Sequence, residues 1–271
     1  MKIFNINKGK RKIAHIIDGK YDKEGNTKNN VYISDTGEYE EIIIGDDEKR
    51  RFFPAMLDFE EGEQTSRVYI SGMSGSGKST LGNKIIKEIL NREPEKIVYI
   101  ISPLSNNEKL INEIDENSII DLDLNSMNAF PLLDELSNSI IVFDDIDSYP
   151  EERFVKKIYN FVNQVMQAGR KNNIDVIFIN HTLQNYRETK YVIQESNFVI
   201  VFPGTGTDIQ IENYLKKYGC LDKKTINRIL STNNSRWVLV SNIAPRYILS
   251  EKELYTPTRV LRKTYKKNLS F

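Results

Sequence analysis

Residues 67–86 read RVYISGMSGSGKSTLGNKII, and the order of this stretch decides the fold. A strand-length apolar run (67–71) feeds a glycine-rich turn, which opens into a segment of helical spacing (79–92). Residues 72–79, GMSGSGKS, satisfy G-x-x-x-x-G-K-[ST] at every fixed position. Each residue type answers a separate demand. Gly72, Gly75 and Gly77 permit backbone conformations and a close approach that a side chain would block. The loop amides, those of Ser74 and Ser76 among them, surround phosphate oxygens together with the positive end of the following helix. Lys78 brings a cation to the terminal phosphates, the Ser79 hydroxyl is placed to ligate magnesium, and Thr80 sits beside the α-phosphate. The expected ligand is ATP with Mg2+.

A second stretch, SIIVFDDID (139–147), is an apolar strand that ends in Asp144 and Asp145. Adjacent carboxylates at the end of a buried strand repel one another unless a cation or a proton resolves the conflict. Beside a phosphate loop the simplest resolution is magnesium, with Asp144 bound to the ion directly or through its waters. Asp145 then faces the γ-phosphate and polarises the attacking water. Asp147 is a reserve candidate for the base, or an acidic turn before the next helix. A third stretch, QAGRKNNIDVIFINHTLQN (167–185), puts a basic turn before a strand and polar residues after it. Asn180 and His181 emerge at the C-terminal end of that strand, where ligands of open parallel sheets sit. Either is a candidate sensor of the γ-phosphate; His181 also fits a plain helix start. Arg170 lies at the opposite end of the strand. It is therefore a candidate arginine finger for a neighbouring subunit's nucleotide, or a solvated cation beside Lys171.

Strands are predicted at 67–71, 96–102, 139–144, 174–180 and 197–202, and helices at 79–92, 151–168, 185–195, 208–218 and 223–230. Strands that alternate with helices give an α/β fold with a mostly parallel sheet and helices on both faces. The first sixty or so residues differ. Short β-rich runs at 2–6, 12–17, 31–34 and 41–44, broken by Gly, Asn and Asp, read as a small antiparallel unit or strands added to a sheet edge. Residues 237–241 and 246–250 read as a closing hairpin. The expected organisation is an N-terminal β-rich extension (1–62), a P-loop core (63–255) and a basic tail (256–271).

Composition narrows the remaining classes. Among 271 residues, 39% are hydrophobic and 28% charged, and 38 basic residues balance 38 acidic ones. The whole-molecule field therefore favours no partner, and only local clusters speak to nucleic acid. One cysteine, Cys220, excludes an internal disulfide, and with only two histidines a Cys/His zinc site within one chain is excluded too. No apolar run approaches the ~20 residues of a membrane span, and the N-terminus does not read as a secretory signal. The expectation is a soluble, cytosolic-type protein without a membrane partner.

The P-loop, the DD-ended strand and GRKNNIDVIFINH on the strand after it resemble the additional-strand P-loop ATPases. Within them the chain is similar to the FtsK/HerA-like DNA pumps, above all the genome-packaging ATPases of large DNA viruses and virophages. The strand–loop IVYIISPLS and SRWVLVSNIAPRYIL contribute to this likeness, which covers about residues 67–250. The resemblance implies an extra strand between the P-loop and DD strands and assembly into a ring, pentamer or hexamer. It also implies translocation of double-stranded DNA into a capsid, contact with capsid or portal proteins, and a location in the host cytoplasm at viral assembly sites or transiently on the capsid. The sequence departs from the family in two places. The second acid is usually Glu rather than Asp145, and the next strand usually ends in Gln, where this chain has Asn180 and His181, with Gln184 three residues beyond. The tail after Pro257 carries Arg259, Arg262, Lys263, Lys266 and Lys267 and no acid. It and the Lys8, Lys10, Arg11, Lys12 cluster are candidate grips on a phosphate backbone, or ordinary solvated ends. A small nucleotide or metabolite kinase is the alternative, and it would call for an Arg-rich lid that the sequence does not offer. A non-catalytic nucleotide-gated scaffold would need neither Asp144 nor Asp145.

Overall fold

The structure, a computed structural model, describes residues 3–18, 29–34, 40–44, 50–57, 64–103, 118–122, 124, 130–183, 189–205, 208–219, 221–231 and 235–257. The basic cluster of the tail, Cys220 and Gln184 lie outside these residues. Two compact units divide the chain: residues 1–55 with 200–271, and residues 56–199. The division differs from the expected 1–62, 63–255 and 256–271, because residues far apart in sequence pair within the first unit.

That first unit holds β1 (Phe4–Ile6), β2 (Arg11–Asp18), β3 (Asn29–Ile33), β4 (Glu41–Ile43) and β5 (Arg50–Pro54). Strands β1, β3, β2 and β5 form an antiparallel sheet in that order. Ile13, Val31, Ile33 and Phe52 are buried in it, and Val31 and Ile33 of β3 follow period-two alternation.

The second unit carries β6 (Arg67–Ser71), α1 (Lys78–Leu90), β7 (Ile97–Ile101), β8 (Ile119–Asp121), β9 (Ser139–Asp144), α2 (Glu152–Ala168), β10 (Ile174–Asn180) and α3 (Thr189–Glu195). Its strands run in the order β6-β10-β9-β7-β8 and are parallel wherever they pair. Strand β10 thus lies between the P-loop strand and the acidic strand. All seven of its residues are buried, as expected of a central strand covered on both faces. The register shows which helix covers which face. Ile179 is level with Ile70, and a Cβ on Gly82 of α1 would meet both of them, Ile179 Cδ1 at 3.0 Å. Phe178, one residue earlier and so on the other face, stacks on Tyr69 at 5.5 Å and meets Tyr159 of α2 at 5.9 Å. Phe143 of β9 joins this aromatic layer against Phe161 of α2. The helices α1 and α2 therefore cover opposite faces.

The strand β11 (Phe198–Val201) spans the division between the units. The chain then forms α4 (Asp208–Lys217), α5 (Lys223–Ser231), β12 (Val238–Ser241), β13 (Ile248–Ser250) and β14 (Glu253–Tyr255). The predicted closing hairpin is β12–β13, extended by β14, which pairs with β4. Arg228 of α5 binds Glu41 of β4 and, at 3.0 Å, Glu253 of β14. Strands β5, β8 and β14 were not predicted from sequence. Each is short or mixed in polarity, and each is defined by the partner it pairs with. No described helix is long and apolar enough to cross a membrane.

Candidate active site

The P-loop follows β6 directly. Gly72 is buried at its start, and its amide donates to Asn180 O at 3.3 Å. Gly75 (φ 77°) and Gly77 (φ 101°) both lie in the left-handed region that side chains disfavour. Gly77 caps the N-terminus of α1, so the first amides of the helix, which have no partner within it, lie at the end of the loop. Ser74, Gly75 and Thr80 are exposed, and Ser76 and Ser79 are partly so. The Ser76 hydroxyl is buried without a protein partner. A glycine-rich loop that opens into a helix N-terminus suits a polyphosphate.

Lys78 is buried at 7% exposure. Its ammonium donates to Met73 O at 3.0 Å and to His181 Nδ1 at 3.3 Å. Burial lowers its pKa, and Asp144 and Asp145 oppose that by raising it. The cation is therefore held inside the loop's own backbone, within the field of both acids.

Strand β9 delivers those acids. Asp144 is pushed up to about 6, first by burial and then by the charge of Asp145, with Lys78 pulling the other way. This is the conflict expected of adjacent carboxylates, and a divalent cation would relieve it. Asp145 adopts the left-handed conformation (φ 53°, ψ 40°), uncommon outside glycine but tolerated by Asp. This bend ends the strand while the Asp145 amide still donates to Ile179 O at 3.1 Å. Ser148 Oγ donates to Asp145 Oδ2 at 2.8 Å, and Asp145 Oδ1 lies 3.6 Å from His181 Nε2.

His181 thus stands between Lys78 and Asp145. An ammonium can only donate, so Nδ1 of the neutral ring accepts from Lys78 and the ring proton sits on Nε2, facing Asp145. The imidazole is 43% exposed, leaving its edge open to a ligand. Asn180 is placed differently. Its Nδ2 donates to Asp147 Oδ2 at 2.9 Å, while its Oδ1 accepts from the amides of His181 (2.6 Å) and Thr182 (3.5 Å). Of the two sensor candidates, His181 reaches the loop lysine, whereas Asn180 is committed to protein contacts. Asp147 accepts from Tyr159 Oη at 2.8 Å as well as from Asn180, an occupancy that does not suit a base.

Arg170 lies in a 3-10 turn (Gly169–Asn172) at the far end of β10 and is exposed. It is not brought to the P-loop of its own chain. Sequence reasoning missed Ser148, Tyr159 and Tyr69, whose hydroxyl donates to Thr182 O at 2.5 Å. The contacts of Tyr69 and Tyr159 cross between elements, and that of Ser148 depends on the bend at Asp145, so no sequence pattern marks them.

Among the described residues no group of three or more His, Cys, Asp or Glu side chains is arranged for a metal ion. That is compatible with magnesium, which binds through one or two protein groups plus substrate phosphates and waters. Ser79 and Asp144 would supply the protein share.

Residues 68–190 match the model of the ATPase family associated with various cellular activities (AAA). That match agrees with the P-loop NTPase fold described above. The matched region runs from the P-loop strand past His181, which follows β10, so it contains every residue of the site just described. Across 253 residues the chain is 28% identical to the uncharacterized protein V3 of Sputnik virophage, covering 93% of this chain and 97% of that one. In structure it is similar to the cytoplasmic domain of the type VII secretion ATPase EccC from Thermomonospora curvata. That match has a TM-score of 0.50 at 12% identity, over 79% of this chain and 28% of that one. A further similar structure is the genome packaging NTPase B204 of Sulfolobus turreted icosahedral virus 2 in complex with sulfate. Its TM-score is 0.49 at 12% identity, over 69% of this chain and 96% of that one. The ATPase-family and virophage matches agree with the resemblance to FtsK/HerA-type ATPases.

Proposed function

We propose that the chain hydrolyses ATP with Mg2+ and uses the energy to move double-stranded DNA into a viral capsid, working in a ring of five or six copies. The observation that carries hydrolysis is the line Lys78–His181–Asp145, with contacts of 3.3 and 3.6 Å. It sets a cation, a polarisable ring and a carboxylate along one side of an amide-lined loop. Lys78 would leave Met73 O for the β- and γ-phosphates. Ser79 and Asp144 would hold the metal, which supplies charge neutralisation between the phosphates. Asp145, steadied by Ser148, would polarise the attacking water, and His181 would register the γ-phosphate through Lys78. Arg170, exposed at the other end of β10, would serve the nucleotide of the adjacent subunit.

The movement of DNA is supported by the resemblance to packaging motors and by the virophage relative spanning 93% of the chain. A motor grips the phosphate backbone, so no base-reading element is required. Capsid or portal proteins are the proposed docking partners, and the host cytoplasm at assembly sites the proposed setting. The test is ATP turnover with and without double-stranded DNA across a salt series, with molecular size measured in parallel. Turnover raised by DNA of any sequence, falling steeply with salt, in a ring-sized assembly is expected. Phosphoryl transfer to a nucleotide acceptor without any DNA effect would overturn the motor in favour of a kinase.

A further inference from the structure

We infer that Asp147 is a positioning residue of the hydrolytic site: it fixes the amide of Asn180, and through it the turn that sets His181 between Lys78 and Asp145. The effect on turnover rests on the ATPase reading above; the geometric link does not. Asp147 lies in the 3-10 turn Ile146–Ser148 that follows the acidic pair. Its two oxygens each meet a donor, Tyr159 Oη on Oδ1 (2.8 Å) and Asn180 Nδ2 on Oδ2 (2.9 Å).

The second contact decides the orientation of a buried amide. Asn180 is 2% exposed, so its carbonyl and amino ends must each find a partner inside the protein. With the amino end on Asp147, the carbonyl end faces the amides of His181 and Thr182 and accepts from both. Reversed, the carbonyl would oppose a carboxylate and the amino group would oppose two N–H donors, leaving each end unsatisfied. Asp147 thereby selects the one orientation in which Asn180 ties down the backbone of the next two residues. Tyr69 also holds this turn, through Thr182 O, and Gly72 N–H holds Asn180 O. The imidazole of His181 leaves a turn anchored in this way. Tyr159 sits within α2, so the chain of contacts runs from that helix through Asp147 and Asn180 to the lysine of the P-loop.

Asp147→Ala and Asp147→Asn, made in the full chain, separate positioning from proton transfer. An Asn at 147 can turn its oxygen to Asn180 and its amino group to the Tyr159 hydroxyl, which accepts as well as donates. The link then survives without the charge. Asp147→Ala should lower kcat for ATP roughly 10- to 100-fold with KM changed by less than about threefold, and Asp147→Asn should restore turnover to within about threefold of the parent. Equal, severe losses in both variants would mean that Asp147 acts as a base and would overturn the proposal. So would parent-like turnover in Asp147→Ala.

A second readout needs no turnover. The chain has only two histidines, so the His181 ring resonances are identified as those missing from a His181→Gln spectrum. They should move to free-imidazole positions in Asp147→Ala and stay at the parent positions in Asp147→Asn. Unchanged His181 signals in Asp147→Ala would overturn the proposal. A parent that hydrolyses no ATP, but whose His181 signals move in Asp147→Ala, would sink the ATPase reading and uphold the link.

Discussion

Replacing Lys96 by Met should destabilise the chain by an amount that grows with pH. Lys96 and Asp175 are each 1% exposed and form a buried ion pair. The ammonium also donates to Asn173 O and Oδ1 at 3.1 and 3.0 Å, and Glu93 Oε2 lies 3.2 Å away. Burial pushes Asp175 up to about 6, against the pull of Lys96 and of the Ser66 amide. A carboxyl whose folded pKa lies above its unfolded value contributes most below the unfolded value and loses that contribution as pH rises through the folded one. In the parent this loss is complete a little above pH 6, because the group is then ionised in both states. Without Lys96 the folded pKa climbs further, and the buried carboxyl must keep a proton that the unfolded chain gives up. Each pH unit above about 6 then costs a further ~1.4 kcal/mol, or about 3 kcal/mol between pH 6 and 8. Acceptors on Asn173 that lose their donor add about 1–3 kcal/mol at any pH. The sum at pH 8, about 4–6 kcal/mol, overlaps the ~3–5 kcal/mol typical of removing one partner from a buried pair. Urea or thermal denaturation of parent, Lys96→Met and Lys96→Met/Asp175→Asn at pH 6 and pH 8 measures it. The single variant's deficit should widen by an amount worth roughly 6–12 °C in Tm, and the double variant's, which keeps only Glu93 beside the lost cation, by much less. A deficit of equal size at both pH values would refute the reasoning.

The site makes further predictions. Lys78→Ala should abolish ATP turnover. Asp145→Asn should retain bound ATP and lose roughly 10²–10⁴-fold in rate, while Asp144→Ala should raise the Mg2+ concentration needed; normal turnover in Asp145→Asn would remove Asp145 from its role. Arg170→Ala should cost on the order of 10³-fold or more in the assembled ATPase, and mixing it with Lys78→Ala subunits should restore activity if the arginine acts on a neighbour's nucleotide; failed complementation would remove the finger.

The phosphate loop and the five strands predicted at 67–71, 96–102, 139–144, 174–180 and 197–202 were legible because their signals are local. Glycine spacing, unbroken apolar runs and helical periodicity each sit within about twenty residues of sequence. The strands Ile119–Asp121 and Glu253–Tyr255 were not, since three residues each carry no period of their own and are strands only beside a partner. Lys96 also escaped notice. A lysine at a strand's start looks solvated until Asp175, 79 residues later, is known to lie against it.

The polar end of β10 shows where local reading stops. Asn180 and His181 are neighbours with similar chemistry, and either could sense a phosphate. Sheet order separates them. Because β10 lies between β6 and β9, a residue leaving its C-terminal end has the P-loop on one side and the acidic pair on the other. Asn180, the last residue of the strand, still has its main chain in the ladder, and its short amide reaches only Asp147 and the turn behind it. His181, the first residue free of the ladder, can bring its ring nitrogens to both Lys78 and Asp145. Where the resembling family uses one longer glutamine, this chain divides the geometry between an amide that fixes the turn and a ring that spans the site.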